Sequence, residues 1–422
     1  MIMKNQLIKK IPEGYKQTEI GVIPEDWDVK NLGEIADVVT GNTPPTNDQS
    51  NYGEDYFFVS PADLGKSKYI FQAQKKLSNK GFRISRKLPP NSILFTCIGS
   101  TIGKAGIAPF ELTSNQQINS ILPNKNFSSN FLFYSLNLIS PKIQSLAGEQ
   151  AVPIVNKCDF EKTTIALPSN IFEQTAIATV LSDTDALIEH LEKLIAKKKA
   201  IKQGTMQQLL TGKKRLPGFS GEWEEKKLKD IADFLKGRGL SKSKIVNDGK
   251  YPCILYGELF TTYSQVIKKV KSKTNSREGL LSVKGDILMP GSTTTVGIDL
   301  ATASALQQND VLLGGDVIVI RKKEPNIYNS EFLANYLTHI SKYKIAEIAQ
   351  GITIIHLHGS RLQEIFVKIS SDIKEQTAIA TILSDMDSEI ESLGQKRDKY
   401  IMLKQGMMQQ LLTGRIRIYA NN

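Results

Sequence analysis

Apolar residues recur at spacings of three and four along two stretches of this chain. In the first they are Ile177, Val180, Leu181, Ile188, Leu191, Leu194 and Ile195, then Met206, Leu209 and Leu210. In the second they are Ile379, Ile382, Leu383, Ile390 and Leu393, then Leu403, Met407 and Leu411. Such a rhythm is one face of an amphipathic helix, and sustained over several turns it suits a coiled-coil pair. The middle of each stretch is polar, with Lys197-Lys198-Lys199 in one and Lys396-Arg397-Asp398-Lys399 in the other. Asn170 and Asp372 stand three residues before Glu173 and Glu375. That is capping-box spacing: the Asx oxygen accepts a free backbone N–H and the Glu reaches back to the cap. Each stretch ends in Leu-Leu-Thr-Gly, placing Gly212 and Gly414 where a left-handed residue follows a last helical turn. No proline intervenes. Two helices of about 40 residues, each about 60 Å long, are predicted. Too long for the interior of a compact domain, they are expected to pack lengthwise on each other.

Period-two and short apolar runs mark strands elsewhere. Ile93-Leu94-Phe95-Thr96 and Asp316-Val317-Ile318-Val319-Ile320 are β-rich and bounded by Gly, Pro or Asn. Phe131–Leu146 and Phe332–Ala349 read as helices.

The two long helical stretches are copies. Residues 173–216 and 375–418 align without gaps at an offset of 202, with 26 of 44 positions identical. Fainter repetition surrounds them. Trp27, Leu32, Ile35-Ala36-Asp37 and Gly41 recur as Trp223, Leu228, Ile231-Ala232-Asp233 and Gly237, and Phe131-Leu132 and Leu136 recur as Phe332-Leu333 and Leu337. Each half is therefore a mixed globular region followed by a long helix. The centres of the globular regions, 42–90 and 238–284, show little mutual similarity, which fits two readers of different targets better than two copies of one active site.

Length and charge narrow the picture. With 422 residues there is enough chain for two cores. No apolar run approaches the ~18–20 residues of a membrane span, and the charged start MIMKNQLIKK lacks a signal-peptide core. Cys97, Cys158 and Cys253 are odd in number and far apart, so reduced thiols and a cytoplasmic location are expected. Lys and Arg outnumber Asp and Glu by 54 to 43, a net +11 that suits a polyanion without requiring one. The densest basic stretch runs from Lys226 to Lys273 and includes Arg238 and Lys242.

Catalytic motifs are missing. Gly99-Ser-Thr-Ile-Gly103-Lys104-Ala105 fails as a P-loop, having three residues between its glycines and no Ser/Thr after the Lys. Gly237-Arg-Gly239 lacks the third glycine of a dinucleotide turn. No Asn/Asp-Pro-Pro-Tyr/Phe tetrapeptide is present, the motif amino-methyltransferases use against a flipped adenine. His356 and His358, with no clustered Cys, read as a polar loop rather than a metal site. No catalytic residue and no metal ligand is assigned.

Polar loops carry a different signal. Thr43 lies in a Gly-Asn-Thr-Pro-Pro turn. Ser100, Thr101 and Lys104 form one loop, with Asn115, Gln116 and Gln117 beyond it. In the second half Ser292, Thr293 and Thr294 echo the first loop, and Gln307 and Gln308 with Asn309 echo the amide cluster. Amides pair bidentately with adenine and Lys or Arg with guanine, while hydroxyls and turn amides grip phosphates. These residues, with Arg238, Lys242, His356 and His358, are the candidate DNA contacts. The competing reading of each is a turn residue serving its local backbone.

The paired EQTAIA(T)xLSDxD…KQGxMQQLLTG segments resemble the two repeats of specificity (S) subunits of type I restriction–modification enzymes. So do GYKQTEIGVIPEDWDVKNLGEIADVVTGNTP, NSILFTCIGSTIGKAGIA…TSNQQINSILP, LPGFSGEWEEKKLKDIA and KGDILMPGSTTTVG. The resemblance spans nearly the whole chain. It implies an α+β protein with two mixed α/β target recognition domains, separated by two long antiparallel coiled-coil helices in a pseudo-two-fold repeat. The domains would cover 1–168 and 213–370, and the spacer helices 169–212 and 371–414, leaving 415–422 as a tail. The chain would bind double-stranded DNA at an asymmetric bipartite site. Two methylating (M) subunits and motor-nuclease (R) subunits would be its partners. S-adenosylmethionine, Mg2+ and ATP would sit on those partners and no cofactor on this chain. Candidate docking residues on the helices are Glu173, Gln174, Asp183, Asp185, Gln207 and Gln208, with Glu375, Gln376, Asp385, Asp387, Gln409 and Gln410. The reading from another class is an architectural or regulatory DNA-binding protein acting without enzyme partners.

Overall fold

The computed structural model describes residues 11–148 and 151–418. Both long helices are present, Ile171–Leu209 and Ile373–Leu411, of 39 residues each. The chain packs as two compact units, one comprising Met1–Leu191 with Lys396–Asn422 and the other Glu192–Gln395. Each unit thus combines one globular region with the start of one long helix and the end of the other.

In the first unit the helices run antiparallel. Glu173 near the start of one meets Arg417 past the end of the other, and Asp185 meets Lys404 one layer further in. The second unit repeats this at the same offset, with Glu375 against Arg215 and Asp387 against Lys202. Apolar residues from both helices enter each core. Ile177, Leu181, Leu411 and Leu412 join Trp27 and Phe131 in the first unit. Leu209, Leu210, Ile379 and Leu383 join Phe332 and Leu337 in the second. Two residues expected in the seam lie outside it: Val180 is 37% exposed and Leu403 49%.

The helix starts differ from a full capping box. Asn170 and Asp372 do cap, accepting from the amides of Phe172 and Lys374 at 2.9 and 2.8 Å. The glutamates do not reach back, because each carboxylate is taken by an arginine and a tryptophan. Trp27 Nε1 donates to Glu173 and Trp223 Nε1 to Glu375, at 3.2 and 3.1 Å. Gly212 and Gly414 end the helices in the left-handed region, each at φ 68°.

The globular regions share a topology that their central sequences conceal. In the first, one sheet runs Val38–Thr40, Ile118–Ile121, Ile93–Thr96, Ala105–Ile107, all antiparallel. A second runs Lys75–Leu77, Tyr52–Val59, Leu112–Ser114, Lys87–Leu88, with Leu112–Ser114 parallel to Tyr52–Val59. The other region repeats the main sheet as Ala232–Lys236, Val317–Lys322, Ile287–Pro290, Ser304–Leu306, and adds Val266–Ile267 at its edge. It repeats the second as Lys273–Thr274, Tyr251–Ile254, Leu312–Leu313, Leu280–Leu281. The dissimilar centres 42–90 and 238–284 therefore supply equivalent strands. What survives is the pattern of buried positions; side-chain identity does not.

One helix is broken where the sequence suggested continuity. Phe332–Ala349 forms Ser330–His339 and Lys342–Ile348. The amides of Ile340 and Ser341 both turn to the Tyr336 carbonyl, and the Ser341 carbonyl starts the next helix by accepting from Ile345.

Candidate nucleic-acid interface

The motif glutamates and glutamines at the helix starts are interior. Glu173 and Glu375 are 5% and 0% exposed and each is gripped through two oxygens by an arginine, at 2.5–2.8 Å. Gln174 donates to the Pro168 carbonyl and accepts from the Ser128 amide. Gln376 does the same with Ser370 and Asn329. These four were expected to dock a partner; instead they fasten each helix to its own domain, because a buried carboxylate or amide must be paired. Asp185 is occupied too, accepting from Tyr134 Oη at 2.6 Å and pairing with Lys404. Burial, and then that hydrogen bond, push the Tyr134 hydroxyl well above its ordinary pKa. Asp183, Asp385, Gln207, Gln208 and Gln409 face solvent, and Asp387 and Gln410 are half-buried.

The first domain gathers its polar loops at one end of the main sheet. Thr43 donates to the Gln116 side chain, and Asn115 Nδ2 donates to Gln117 Oε1 at 3.0 Å. The Cys97 amide bonds the Gln117 carbonyl, which brings Gly99, Ser100 and Thr101 beside the amide cluster. Gly41 presses against this loop so closely that a Cβ there would lie 2.3 Å from the Asn115 carbonyl oxygen. Only glycine fits. Gln116, Ser100 and Lys104 are all exposed, Lys104 on the far side of its loop with its stem next to Gly65. Val152 and Ile154, both exposed, flank the cluster through the Gly99–Pro153 and Ile98–Ile154 contacts.

The second domain forms a cleft of about 580 Å3 in the same place. Ser292–Thr293 pairs with Ile355–His356, and Ser292, Thr293, Thr294, Asp316, Ile354, His356 and Tyr256 line it. His358 lines an adjoining cleft, its ring 6.3 Å from that of His356 and nearly parallel. Among the described residues no group of three or more His, Cys, Asp or Glu is arranged to hold a metal. Arg238 follows Gly237, whose backbone packs on the Gly314 carbonyl as Gly41 packs on Asn115; Lys242 lies exposed four residues on.

The amide echo between the halves does not hold in space. Gln307 and Gln308 follow Ser304–Leu306, at the Asp286 end of the Ile287–Pro290 strand, whereas Ser292 follows its other end. Gln307 is occupied there by Glu331, at 2.9 Å. The true counterpart of Asn115-Gln116-Gln117 is Gly314-Gly315-Asp316. Both tripeptides join equivalent strands, and the amides of Asn115 and Gly314 bond the equivalent carbonyls of Val59 and Ile254. Asp316, Tyr256 and Ile354 were absent from the sequence-based candidates. Aligning the strands Ile118–Ile121 and Val317–Lys322, rather than matching amide residues, would have found Asp316.

Burial pushes the Cys97 and Cys253 thiols up to about 12 and about 11, so neither is a nucleophile near neutral pH. Among the described residues no helix is long and apolar enough to cross a membrane.

The family model for the type I restriction modification DNA specificity domain matches twice, over residues 24–203 and 220–399. The chain belongs to the family of type I restriction–modification specificity subunits. These are non-catalytic subunits. Over 437 aligned positions it is 25% identical to the MjaVIII specificity subunit of Methanocaldococcus jannaschii, covering 99% of both chains. It is also 32% identical over 184 residues to the MjaIX specificity subunit of that organism, spanning 42% of each chain, less than half the length of that relative. Among solved structures, the S subunit from M. genitalium matches with a TM-score of 0.59 at 16% identity, covering 92% of this chain and 96% of that one. A chain from a study of complex assembly and conformational transition of the type I R-M system gives 0.57 at 16% identity, covering 93% and 99%. Those two likenesses bear on the fold.

Proposed function

We propose that this S subunit reads an asymmetric bipartite DNA site, one half-site per domain, and positions methylating and motor-nuclease subunits on it. The observation that carries the reading is the contrast between the two domains. Their sheets and helix clamps repeat, and a Gly-Ser-Thr run recurs in one loop, while the equivalent tripeptides at the end of the main sheet differ at every position, Asn115-Gln116-Gln117 in one domain and Gly314-Gly315-Asp316 in the other. Selection for two copies of one surface would have kept those loops alike. Exposed basic residues such as Lys236, Arg238, Lys242, Lys268 and Lys271 supply phosphate contacts that hold register without reading bases.

The solvent faces of the long helices, where Asp183, Asp385, Gln207, Gln208 and Gln409 remain exposed, are available to two M subunits. S-adenosylmethionine, Mg2+ and ATP belong to the partner subunits, and the complex works in the cytoplasm. The helices act as a spacer, so changing their length alters the gap between half-sites.

The test is a long-read methylation map of a host genome with and without this gene, with its M partner present in both. N6-methyladenine at one bipartite motif with a fixed gap is expected. An assembled complex that adds no motif would instead favour a regulatory DNA-binding protein. Replacing residues 42–160 with another reader should change one half-site and leave the other; a change in both would sink the one-domain, one-half-site assignment.

A further inference from the structure

The structural equivalence of Gln117 and Asp316 has a chemical consequence. Their carbonyls accept from equivalent amides, those of Cys97 and Gly291. The two backbone positions are therefore equivalent at the end of the main sheet, beside the loops that carry the candidate contacts, though only Asp316 is left-handed. Asp316 sits at φ 58°, a left-handed conformation uncommon for a residue other than glycine, in a loop where Gly314 and Gly315 precede it. Such backbone conformations cluster at functional sites. The carboxylate lines both clefts of the second domain and is 43% exposed. Its contacts are modest: Ser292 Oγ donates to Oδ2 at 3.2 Å, and Lys236 Nζ stands 3.5 Å from Oδ1. A carboxylate has about four acceptor sites, so capacity remains. Gln117 accepts from Asn115 through Oε1, and among the described residues its NH2 makes no hydrogen bond.

A carboxylate only accepts; an amide accepts and donates. In the major groove cytosine offers the N4 donor and guanine only acceptors, while adenine offers an acceptor and a donor side by side. Resting on the reading above, we propose that residues 117 and 316 are equivalent base-reading positions. Asp316 selects cytosine in the half-site of the second domain and disfavours guanine on that strand. Gln117 selects adenine in the half-site of the first.

The test uses the full chain assembled with its methylating partner. Motifs are mapped for wild type, Asp316→Gln, Asp316→Asn and Gln117→Glu, and binding is measured on duplexes carrying each base at the affected position. Asp316→Gln should shift one position of the second half-site from cytosine to adenine, by roughly tenfold to a hundredfold in relative affinity. Gln117→Glu should weaken adenine at one position of the first half-site by a similar factor. Each variant should leave the other half-site unchanged. Wild-type specificity in both Asp316 variants, or equal weakening for all four bases, would overturn the assignment. So would a wild-type second half-site with no G·C pair. A wild-type complex that methylates no bipartite motif would defeat the functional reading itself, which is a separate outcome.

Discussion

The two units of this S subunit agree where the helices are fastened and disagree where the domains face outward. Glu173, Trp27 and Arg417 in one correspond to Glu375, Trp223 and Arg215 in the other, with bond lengths matching within about 0.1 Å. At the sheet end the same backbone positions carry Asn-Gln-Gln in one unit and Gly-Gly-Asp in the other. The contrast teaches that the unit repeated in sequence is not the unit that packs. Each clamp takes its glutamate from the start of one long helix and its arginine from beyond the end of the other. The first unit is completed by residues that belong, in sequence, to the second repeat.

The largest effect should come from breaking a clamp. Glu375 is fully buried between Arg215 and Trp223. Glu375→Ala leaves an arginine without its carboxylate and should cost about 3–5 kcal/mol, read as a loss of thermal or denaturant stability. Glu173→Ala should cost less, since Arg417 keeps a second partner in Asp26 at 2.7 Å. Equal losses would show that the surface pair with Asp26 contributes nothing and that the clamps are interchangeable.

Much of this clamp was legible in the sequence, but with the wrong role attached. The 3.6-residue period located both helices to within a few residues, and the Leu-Leu-Thr-Gly ends gave their stops. The repeat of Glu-Gln was visible, yet nothing local says that Glu173 turns away from its own helix to an arginine 244 residues on. Long-range partners of a buried charge leave no local pattern. The same limit hid the proposed reading surface. Asn115–Gln117 and Gln307–Asn309 look alike as residue types, whereas equivalence in space is set by which strands they join. The dissimilar centres of the domains misled in the opposite sense, since strands that, Tyr52–Val59 apart, run only two to four residues tolerate almost any sequence that keeps one face apolar.

A second difference between the units should appear as pH dependence. The second unit has His339 where the first has Leu138, at matching positions on equivalent helices. Burial first, then the Lys202 charge, push the His339 imidazole down to about 4, with Lys342 adding to and Asp387 opposing that shift. Its Nε2 is buried without a hydrogen-bond partner. The folded state therefore resists a proton that the unfolded state accepts near pH 6.5. Stability is fully present above about pH 6.5 and falls as pH drops toward 4, by about 2–3 kcal/mol. His339→Leu, which installs the first unit's residue, should flatten this acid limb in a series of melting curves. An unchanged limb would place the acid sensitivity elsewhere.

The smallest expected effect concerns the inner ion pairs. Asp185 and Asp387 stand at the same repeat position, each 2.5 Å from a lysine of the opposing helix. Their surroundings differ. Asp185 also accepts from Tyr134, whose ring lies under both Lys68 and Lys404, and it is 28% exposed. Asp387 is 45% exposed and has no such tyrosine, because the position of Tyr134 is taken by Asn335. The partner lysines differ in the opposite sense, since Lys202 is 10% exposed and Lys404 25%. Asp185→Asn loses a charge-assisted bond to a buried hydroxyl, and Asp387→Asn leaves a buried ammonium without its carboxylate, so each should cost about 1–2 kcal/mol. Added salt should change either loss only slightly, since one is shielded by the Tyr134 bond and the other by the burial of Lys202. If Asp185→Asn costs nothing while Asp387→Asn costs its full amount, the tyrosine bond contributes little and burial of the lysine accounts for the effect.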